Sequence, residues 1–423
     1  MNEKKYINRI IDKEIKVYLE TFGAILIRGP KWCGKTTTAE QFAKSVIKMQ
    51  DSLKSKEYIA AADTDISLIL RGDNPRLIDE WQVYPNIWNA VRNDVDVKNK
   101  EGLYILTGSR VPKDDEYRHS GAGRIGTLFM YPMSLAESGD SNSSISLEKL
   151  FKKEENINGK KSKLTVDDLA YCLCRGGWPA NFGLDYQKCA LRIKSYLDLI
   201  YESDDLELKK YAKDVEVAKN IIKSYSRNIS TLTDLKTIYK DTTKNDISIS
   251  ESQFYDYINA LKNNYLIEDV AAWSPNIRSK TAIRTTPKKE LIDPSIAALY
   301  LGITPDNYVE NYKTFGFLFE SLCIRDLRVY ASSLGGKVYY YHDRNGLEVD
   351  AVIVLDDGRY GLVEIKLASK EIEEASIRFE EFERVLDSVN YKKPSFKMVL
   401  TAGELAYTKE NGTLIIPIGC LTK

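Results

Sequence analysis

Residues 24–36 of the chain read Ala-Ile-Leu-Ile-Arg-Gly-Pro-Lys-Trp-Cys-Gly-Lys-Thr, and the fold of the amino-terminal part of the chain can be inferred from them. Its first four residues are apolar, which predicts a short buried β-strand. Gly29 to Thr36 fit the pattern G-x-x-x-x-G-K-[ST] without exception, and a helical pattern follows over 36–49. A strand, a glycine-rich loop and a helix in this order gather backbone N–H groups around one anion. The stretch therefore predicts a phosphate-binding loop, or P-loop.

Further apolar runs predict a sheet around this loop. We expect strands at 57–60, 76–78 and 103–106 in addition to 24–27, with helical patterns between them. Strands that alternate with helices are typical of a parallel sheet covered by helices. The fold class predicted for this part of the chain is α/β, a P-loop NTPase parallel sheet.

The loop and the third predicted strand supply residues for phosphate chemistry. Lys35 would reach the β- and γ-phosphates, and the Thr36 hydroxyl would bind Mg²⁺. The strand at 76–78 is followed by Asp79, which would complete the Mg²⁺ shell, and by Glu80, which would polarise the attacking water. These residues predict ATP and Mg²⁺ as ligands, and adenine is favoured over guanine because no N-K-x-D base-reading motif follows.

The fourth predicted strand ends in Thr107-Gly108-Ser109, at the sheet edge where open α/β sheets bind ligands. These hydroxyls would contact the γ-phosphate or the water, although an ordinary turn is the alternative. Arg124 is the first candidate for an arginine that neutralises transition-state charge and Arg110 the second, with a solvated arginine as the alternative. The residues expected to contact ATP are Gly29, Pro30, Lys31, Trp32, Cys33, Gly34, Lys35, Thr36, Thr37, Thr107, Ser109 and Arg124.

Near the carboxyl end, two strand patterns flank the turn Asp356-Asp357-Gly358. A two-residue turn would pair Asp350 with Ile365, whereas a three-residue loop with Gly358 in the left-handed conformation pairs Asp350 with Glu364. We favour the three-residue loop, because it gathers the apolar residues on one face and leaves Asp350, Glu364 and Lys366 on the other. Two carboxylates beside an ammonium group are costly to bury unless they pair or hold a metal.

This hairpin pattern, D-x(n)-E-x-K, resembles the PD-(D/E)xK nuclease fold, and Glu320 matches the extra acid that this fold often carries. The resemblance implies a site in which Asp350, Glu364 and Glu320 hold Mg²⁺ and Lys366 assists catalysis. Two alternatives stay open. One is an ordinary Glu–Lys pair on an exposed sheet face, and the other is a nuclease-like fold that only binds.

The segment between these two regions is mostly helical in period. Capped helix starts are expected near Ile229 to Leu235 and at Ser250 or Ser252, and strands at 265–270 and near 282–284 would follow them. Helices followed by a small hairpin predict a winged helix-turn-helix. A basic run at 278–289 lies where a wing would be and could neutralise phosphates of double-stranded DNA, although a solvated hairpin explains it as well. The polar stretch at 138–163 predicts a mobile loop.

The composition excludes some classes of protein. The chain has 423 residues with 61 Lys and Arg against 61 Asp and Glu, so a global positive field that coats nucleic acid is excluded, but a local DNA contact is not. The 6 cysteines are scattered, which predicts reduced thiols. Neither a signal peptide nor a spanning segment is expected, and we therefore predict a cytoplasmic protein without a membrane partner.

Across nearly its whole length, the chain resembles prokaryotic ATPases of the AAA+ type that carry a carboxyl-terminal domain of the DUF4143 type. The matching motifs are 29–36, Ile78-Asp79-Glu80-Trp81-Gln82, 106–109, Gly123-Arg124, Tyr131-Pro132-Met133-Ser134-Leu135-Ala136-Glu137 and Arg175-Gly176-Gly177-Trp178-Pro179. The resemblance implies that Asp79 and Glu80 are the Walker B pair and that 107–109 is the sensor region. Trp81 departs from the isoleucine usual in the family.

These patterns predict four parts. We expect a P-loop AAA+-like domain at 1–140, an insertion and helical lid at 141–212, a winged helix-turn-helix at 213–300 and a restriction-endonuclease-like α/β domain at 301–423. The expected function is an ATP-hydrolysing switch that acts on DNA, with metal-dependent nuclease activity in the last domain. The alternatives are an ATP-gated DNA-binding module and a protein-interaction switch, and homo-oligomerisation stays open.

Overall fold

The computed structural model describes residues 6–109, 121–202, 214–244, 249–275 and 285–423. The chain divides into two compact units. The first unit comprises Met1–Tyr131 with Asn263–Tyr265, and the second comprises Pro132–Lys262 with Leu266–Lys423.

The first unit is a five-stranded parallel sheet with helices between the strands. The helices are α1 (Asp12–Thr21), α2 (Lys35–Glu40), α3 (Ser55–Thr64), α4 (Ser67–Leu70) and α5 (Asn86–Lys98). The strands are β1 (Ala24–Arg28), β2 (Ser45–Lys48), β3 (Arg76–Asp79), β4 (Tyr104–Gly108) and β5 (Ile125–Phe129), in the order β2-β3-β4-β1-β5. All neighbours pair in parallel, which confirms the predicted α/β sheet.

The position of β1 in the sheet explains its apolar sequence. Ala24, Ile25 and Ile27 are fully buried, because β1 lies between β4 and β5 and both faces of the sheet are covered by side chains. The carboxyl ends of β1, β3 and β4 meet at one edge of the sheet. The P-loop, the two acids and the two hydroxyls predicted to bind nucleotide all follow these ends.

Two predicted elements of this unit are wrong. The helix expected at 36–49 ends at Glu40, and β2 follows at Ser45–Lys48 because its Val-Ile pair favours a strand that can pair with β3. The strand expected at 57–60 is part of α3, whose Ala60, Ala61 and Ala62 have the highest helix propensity of any residue type.

The second unit begins with helices and ends with a mixed sheet. Its helices are α6 (Leu135–Ser138), α7 (Leu147–Lys152), α8 (Val166–Arg175), α9 (Tyr186–Glu202), α10 (Val215–Arg227), α11 (Leu235–Thr243), α12 (Glu251–Asn263), α13 (Pro294–Leu301), α14 (Tyr312–Ser332) and α15 (Ile372–Ser388). Its strands are β6 (Ile145–Ser146), β7 (Gly336–His342), β8 (Glu348–Leu355), β9 (Tyr360–Lys366), β10 (Lys397–Thr401), β11 (Tyr407–Thr408), β12 (Leu414–Pro417) and β13 (Leu421–Thr422).

The larger sheet of this unit has the order β11-β12-β10-β9-β8-β7. Strands β7, β8 and β9 are antiparallel, whereas β9, β10 and β12 are parallel. Helix α15 lies between β9 and β10 in the chain, as a parallel connection requires. It packs Phe379 and Phe382 into a core with Val352 and Leu362 of the sheet.

The turn between β8 and β9 is the predicted three-residue loop. Leu355 N donates to Arg359 O at 2.8 Å, and Gly358 has a φ of 79°, in the left-handed region. The three-residue loop is confirmed by the register Ala351↔Val363. Extended by one residue in each strand, this register would place Asp350 opposite Glu364.

The predicted helix starts in the middle of the second unit are confirmed. Asp234 caps α11 through Thr237 N at 2.8 Å, and Ser250 Oγ accepts a hydrogen bond from Gln253 N at 3.2 Å. After α12, the backbone forms antiparallel bridges between Ile267 and Leu291 and between Val270 and Lys288. The second arm of this pairing therefore includes 288–291, and the strand predicted near 282–284 lies outside the described residues.

The prediction of a mobile loop at 138–163 is wrong. The segment contains β6 and α7, and Ser146 caps α7 by accepting a hydrogen bond from Lys149 N at 3.3 Å. Strand β6 pairs in parallel with β13 at Leu421 and Thr422. Because this partner lies near the other end of the unit, local composition could not reveal it.

A buried ionic network holds the helices of the second unit together. Asp293 caps α13 and also accepts hydrogen bonds from Gly177 N at 2.9 Å and Arg325 Nη1 at 3.1 Å. Trp178 donates to Ser295 Oγ at 3.1 Å. The motif at 175–179 therefore has a structural role, since it binds the start of α13.

Two further expectations concern the chain as a whole. All 6 cysteines are buried with free thiols, as predicted. In the part of the chain that the structure describes, no helix combines the length and the apolar composition needed to cross a bilayer.

Candidate functional site

The P-loop connects β1 to α2, and its backbone depends on two glycines. Gly29 has a φ of 153°, and a Cβ atom there would lie 2.2 Å from Met130 O. Gly34 has a φ of 101° and precedes the first residue of α2. The Lys35 ammonium, on a side chain that is 5% exposed, donates to Gly29 O at 3.0 Å and Pro30 O at 2.7 Å. The Lys35 side chain therefore bends back over the P-loop, and its ammonium group lies against the loop backbone.

The Thr36 hydroxyl meets the first acid of the neighbouring strand. Thr36 Oγ1 donates to Asp79 Oδ1 at 2.7 Å, and Thr107 Oγ1 donates to the same oxygen at 2.6 Å. A hydroxyl and a carboxylate in contact at the sheet edge are the oxygen ligands that Mg²⁺ prefers. These residues fit a magnesium ion bound beside the P-loop.

The second acid is held in place by side chains from both sides. Glu80 adopts a left-handed backbone conformation with a φ of 53°. Its Oε2 accepts hydrogen bonds from Ser109 Oγ at 3.1 Å and from Gln82 Nε2. Thr107 Oγ1 also accepts a hydrogen bond from Glu80 N at 3.3 Å. The expected hydroxyls, Thr107 at the end of β4 and Ser109 directly after it, therefore position Asp79 at the end of β3 and Glu80 directly after it.

The remaining residues that were predicted to contact the nucleotide lie either in the P-loop or on the first turn of α2. Lys31, Trp32 and Cys33 lie in the loop, where Cys33 is buried and donates to Met130 O at 3.5 Å, and Thr37 is exposed on the first turn of α2. Arg9, which sequence reasoning missed, donates from Nη1 to Cys33 O at 2.9 Å and from Nη2 to Tyr131 O at 2.8 Å. No local pattern marks Arg9, because its partners are distant in sequence.

The expectation for Arg124 needs correction. Arg124 precedes β5, and Ile125 pairs with Ala24 at the amino end of β1, whereas the P-loop follows the carboxyl end. Its guanidinium donates to Asp96 Oδ1 at 2.8 Å. Arg124 therefore lies near the amino ends of the strands, whereas a phosphate bound by the P-loop of the same chain would lie at their carboxyl ends. Arg110, the second candidate, lies outside the described residues.

The carboxyl-terminal residues Asp350, Glu364 and Lys366 come together across the hairpin. Lys366 Nζ lies 2.7 Å from Asp350 Oδ2 and 2.8 Å from Glu364 Oε2. Asp350 Oδ2 also accepts a hydrogen bond from Ile365 N at 2.8 Å, and Arg378 Nη1 lies 3.2 Å from Glu364 Oε2. Glu364 is fully buried, and its Oε1 has no hydrogen-bond partner.

Glu320 joins the same centre through a residue that was not predicted to belong to it. Lys288 Nζ lies 2.7 Å from Glu320 Oε1 and 3.0 Å from Glu348 Oε1. The Lys288 side chain is 1% exposed. We refer to Glu320, Glu348, Asp350, Glu364, Lys288, Lys366 and Arg378 as the acidic centre.

Burial and charge shift the pKa values of the carboxyl groups in opposite directions. Burial would raise the pKa of Asp350, but the Lys366 and Lys288 ammonium groups outweigh burial and lower it. Burial and the Asp350 charge raise the pKa of Glu364 to about 7 despite Lys366. Burial likewise raises the pKa of Glu320 to about 8, against the effect of Lys288. Asp350 therefore keeps its charge most readily, and a proton competes for the other two groups.

The basic run at 278–289 was expected to contact DNA phosphates, and this expectation is wrong for its last two residues, Lys288 and Lys289. Lys288 and Lys289 are each 1% exposed. Lys288 points into the acidic centre, and Lys289 Nζ lies 3.5 Å from Asp269 Oδ2 on the other side of the strand. Both ammonium groups are used in buried ion pairs, so neither is presented to a DNA phosphate. Arg278, Lys280 and Arg284 lie outside the described residues.

A cavity of about 490 Å³ opens beside the acidic centre. It is bounded by Glu348, which pairs with Lys288, and by Arg378, which pairs with Glu364. Among the described residues, no three His, Cys, Asp or Glu side chains are arranged as a ready metal-binding group. In the acidic centre, lysines separate the carboxylates from one another.

Three family models match successive parts of the chain. Residues 21–139 match an AAA domain, residues 166–307 match a domain of unknown function (DUF8612), and residues 315–421 match a domain of unknown function (DUF4143). The predicted combination of an AAA-type P-loop domain with a carboxyl-terminal DUF4143 domain is confirmed. A search of curated protein sequences found no match.

Two solved structures are similar to parts of the chain at low scores. The Walker-type ATPase PABY2304 of Pyrococcus abyssi is 15% identical, with a TM-score of 0.43, and the match covers 70% of this chain and 96% of that one. The Drosophila ORC structure bound to DNA is 12% identical, with a TM-score of 0.21, and the match covers 66% of this chain and 89% of that one. At these scores, neither structure bears on the function of this chain.

Proposed function

We propose that the first unit binds and hydrolyses ATP. The observation that carries this proposal is the contact between Thr36 Oγ1 and Asp79 Oδ1 at 2.7 Å, beside a complete P-loop. Lys35 would exchange its two carbonyl partners for the β- and γ-phosphates, and the loop N–H groups would bind the same phosphates. Mg²⁺, when held by Thr36 and Asp79, neutralises charge on the phosphate oxygens.

Glu80 would then accept a proton from the attacking water or orient it. Ser109 and Gln82 already bind Oε2 of this carboxylate, which limits its rotation. Thr107 bonds to Asp79 and to the Glu80 backbone, so it links the metal-binding acid to the water-binding acid. Hydrolysis would change the contacts at this edge of the sheet, as a nucleotide-dependent switch requires.

Thermal unfolding with and without MgATP tests the binding step. Wild-type protein should gain thermal stability with nucleotide because the ligand binds only the folded state. Lys35→Ala should remove this gain, whereas Lys44→Ala, an exposed lysine that follows α2, should retain it. An undiminished gain in Lys35→Ala would remove the P-loop assignment.

The second unit supports a further candidate function, metal-dependent cleavage of double-stranded DNA. The observation that favours it is the convergence of Asp350, Glu364 and Lys366, together with the unpartnered Oε1 of Glu364. Asp350 and Glu364 would hold the metal, and Lys366 would stabilise charge at the scissile phosphate. The same centre without a metal is the alternative, an ATP-gated binding module.

We further propose the predicted four-part division, with a winged helix at 213–300 and a nuclease-like domain at 301–423. Support comes from the three helices α10 to α12 followed by the antiparallel bridges, and from a mixed sheet that places the acidic residues on a hairpin. The buried positions of Lys288 and Lys289 reduce the basic surface available to DNA.

Two measurements separate the nuclease from its alternatives. Plasmid nicking that requires Mg²⁺ and is lost in Lys366→Ala would support the nuclease, and equal nicking by both proteins would assign it to a contaminant or another site. DNA affinity should fall as salt rises, because phosphate contacts release counterions. If the protein does not bind a DNA duplex at low salt, the proposals that involve DNA fail. The remaining alternative is then an ATP-dependent protein-interaction switch.

A further inference from the structure

We propose that the Lys288 ammonium occupies a cation position of the acidic centre, so that a divalent ion binds there only in competition with Lys288. This inference rests on the proposed metal-binding role of Asp350 and Glu364. It adds to the site a residue from the segment before α13 that lies outside the D-x(n)-E-x-K pattern. It also states which ligand class Lys288 excludes, namely a divalent metal ion.

The position of Lys288 is fixed by backbone and side-chain contacts. Lys288 N donates to Val270 O at 2.9 Å, and Val270 N donates to Lys288 O at 3.0 Å. Its Nζ lies 5.6 Å from the centre of the Tyr340 ring, on β7. With Glu320 and Glu348 at 2.7 and 3.0 Å, the ammonium has two carboxylate partners and one aromatic face.

The net charge of the acidic centre indicates that the Lys288 ammonium takes the place of a divalent ion. When all four carboxyl groups are ionised, the ion pairs of the acidic centre join four negative charges to three positive ones, so one negative charge is left over. Without Lys288, two negative charges would be left, which one divalent ion neutralises. With Lys288 in place, a divalent ion would bring the set to net positive charge in a buried environment, where like charges repel strongly.

A ligand atom and an entry path are both present. Glu364 Oε1 is a buried carboxylate oxygen without a hydrogen-bond partner, and such an atom is costly to bury unless something binds it. The cavity of about 490 Å³ reaches Glu348 and Arg378, which contact the two ends of the centre. A metal ion entering through it would meet the Glu348–Lys288 pair.

Lys289 provides a matched comparison. It is as buried as Lys288, but it faces the opposite side of the strand, where Asp269 lies 3.5 Å away. Burial lowers the pKa of Lys289. Lys288 Nζ, in contrast, lies 2.7 Å from Glu320 Oε1 and 3.0 Å from Glu348 Oε1. Of these two lysines, only Lys288 is therefore held by carboxylates of the acidic centre.

Titration of the full chain with Mn²⁺, followed by calorimetry in the absence of nucleotide, tests the inference. Asp79→Asn is used as the background, because it removes the carboxylate proposed to hold a divalent ion beside the P-loop. In that background, Lys288→Gln should raise the Mn²⁺ affinity of the acidic centre by at least about tenfold, since one competing charge is removed. Lys289→Gln should leave the affinity unchanged, and adding Asp350→Asn to Lys288→Gln should abolish this binding.

The outcomes separate this inference from the proposed function. If Lys288→Gln and the background bind Mn²⁺ equally at a site that Asp350→Asn removes, the metal site stands and the role of Lys288 is wrong. If neither binds Mn²⁺ at such a site, the metal-binding proposal itself fails, and this inference with it.

A second measurement avoids any dependence on the folding of the variants. In wild-type protein, an acylating reagent that modifies exposed amines should label Lys288 poorly, and saturating Mn²⁺ should increase labelling several-fold because the ion displaces the ammonium. Mass spectrometry of the Lys288 peptide reports the change, with Lys289 in the same peptide as the control. Labelling of Lys288 that does not respond to Mn²⁺ would overturn the inference.

Discussion

Ser109 donates a hydrogen bond to Glu80 at 3.1 Å, although 29 residues separate them in the chain. The contact joins the ends of β3 and β4, and Gln82 bonds to the same carboxylate oxygen from the other side. A glutamate held by two side chains has fewer orientations than a free surface glutamate. Two predictions about the proposed ATPase follow from this restraint.

Glu80→Gln should retain ATP binding and reduce hydrolysis by about 100-fold or more, because general-base assistance is lost while the phosphate contacts remain. Phosphate release measures hydrolysis, and the nucleotide-dependent rise in Tm measures binding. Turnover equal to that of wild type would remove Glu80 from the mechanism.

Gln82→Ala should lower kcat by about tenfold and leave KM nearly unchanged, because Gln82 positions Glu80 and does not itself contact substrate. Gln41→Ala is the matched control, since the side chain of this exposed glutamine donates to Thr37 O at 3.1 Å, within its own helix. A larger effect on KM than on kcat would show that Gln82 acts on binding instead.

Two glycines of the second unit should respond to alanine in opposite ways. Gly358→Ala should lower the free energy of unfolding by about 1 kcal/mol, because its φ of 79° disfavours a side chain. Gly316→Ala, inside α14 with open space where an added Cβ atom would lie, should raise it by about 0.5–1 kcal/mol. Denaturant unfolding measures both, and a loss of stability in Gly316→Ala would contradict the helix assignment.

Asp293→Ala should lower the free energy of unfolding by about 3–5 kcal/mol, because it leaves the buried Arg325 guanidinium with one carboxylate fewer. It also removes the hydrogen bond to Gly177 N. Glu148→Gln, at an exposed i,i+4 pair with Lys152, should leave the unfolding midpoint unchanged. Similar small effects for both variants would mean that the buried network contributes little.

The raised pKa of Glu364 predicts a pH dependence of stability. The pKa of Glu364 in the folded state is about 7, above the ordinary value of 4.5. Between pH 4.5 and 7, the folded state therefore keeps a proton on Glu364 that the unfolded state has released. The contribution to stability is full below pH 4.5 and is lost as the pH rises through 7. Wild-type stability should therefore fall over this window relative to Glu364→Gln, as measured by denaturant unfolding at fixed salt. Parallel pH profiles would contradict the shift.

The sequence predicted the parts of the fold that depend on local patterns. The P-loop needs only its own eight residues and the flanking strand, and the register of Asp350 against Glu364 follows from the length of one loop and a left-handed Gly358. Asp79 and Glu80 were predictable because acids that follow an apolar strand must lie at the edge of a parallel sheet.

Long-range pairing was not predictable in the same way. Lys288 stands in a run of basic residues, which suggested solvent exposure, but its carboxylate partner Glu320 is 32 residues away. Arg124 follows the glycines Gly121 and Gly123, yet the parallel register of β5 places it at the amino end of β1, away from the P-loop. In both cases the side chain's partner, and not its neighbours in sequence, decides its role.

The pairing of β6 with β13 sets an order of events during synthesis on the ribosome, because this corner of the second unit can close only after Leu421 has been made. Ser141 Oγ donates to Leu421 O at 2.9 Å, across 280 residues. At roughly 5–20 residues per second, the segment that precedes α7 leaves the ribosome some tens of seconds before its strand partner is made. During that interval its backbone must stay solvated or be shielded by another molecule.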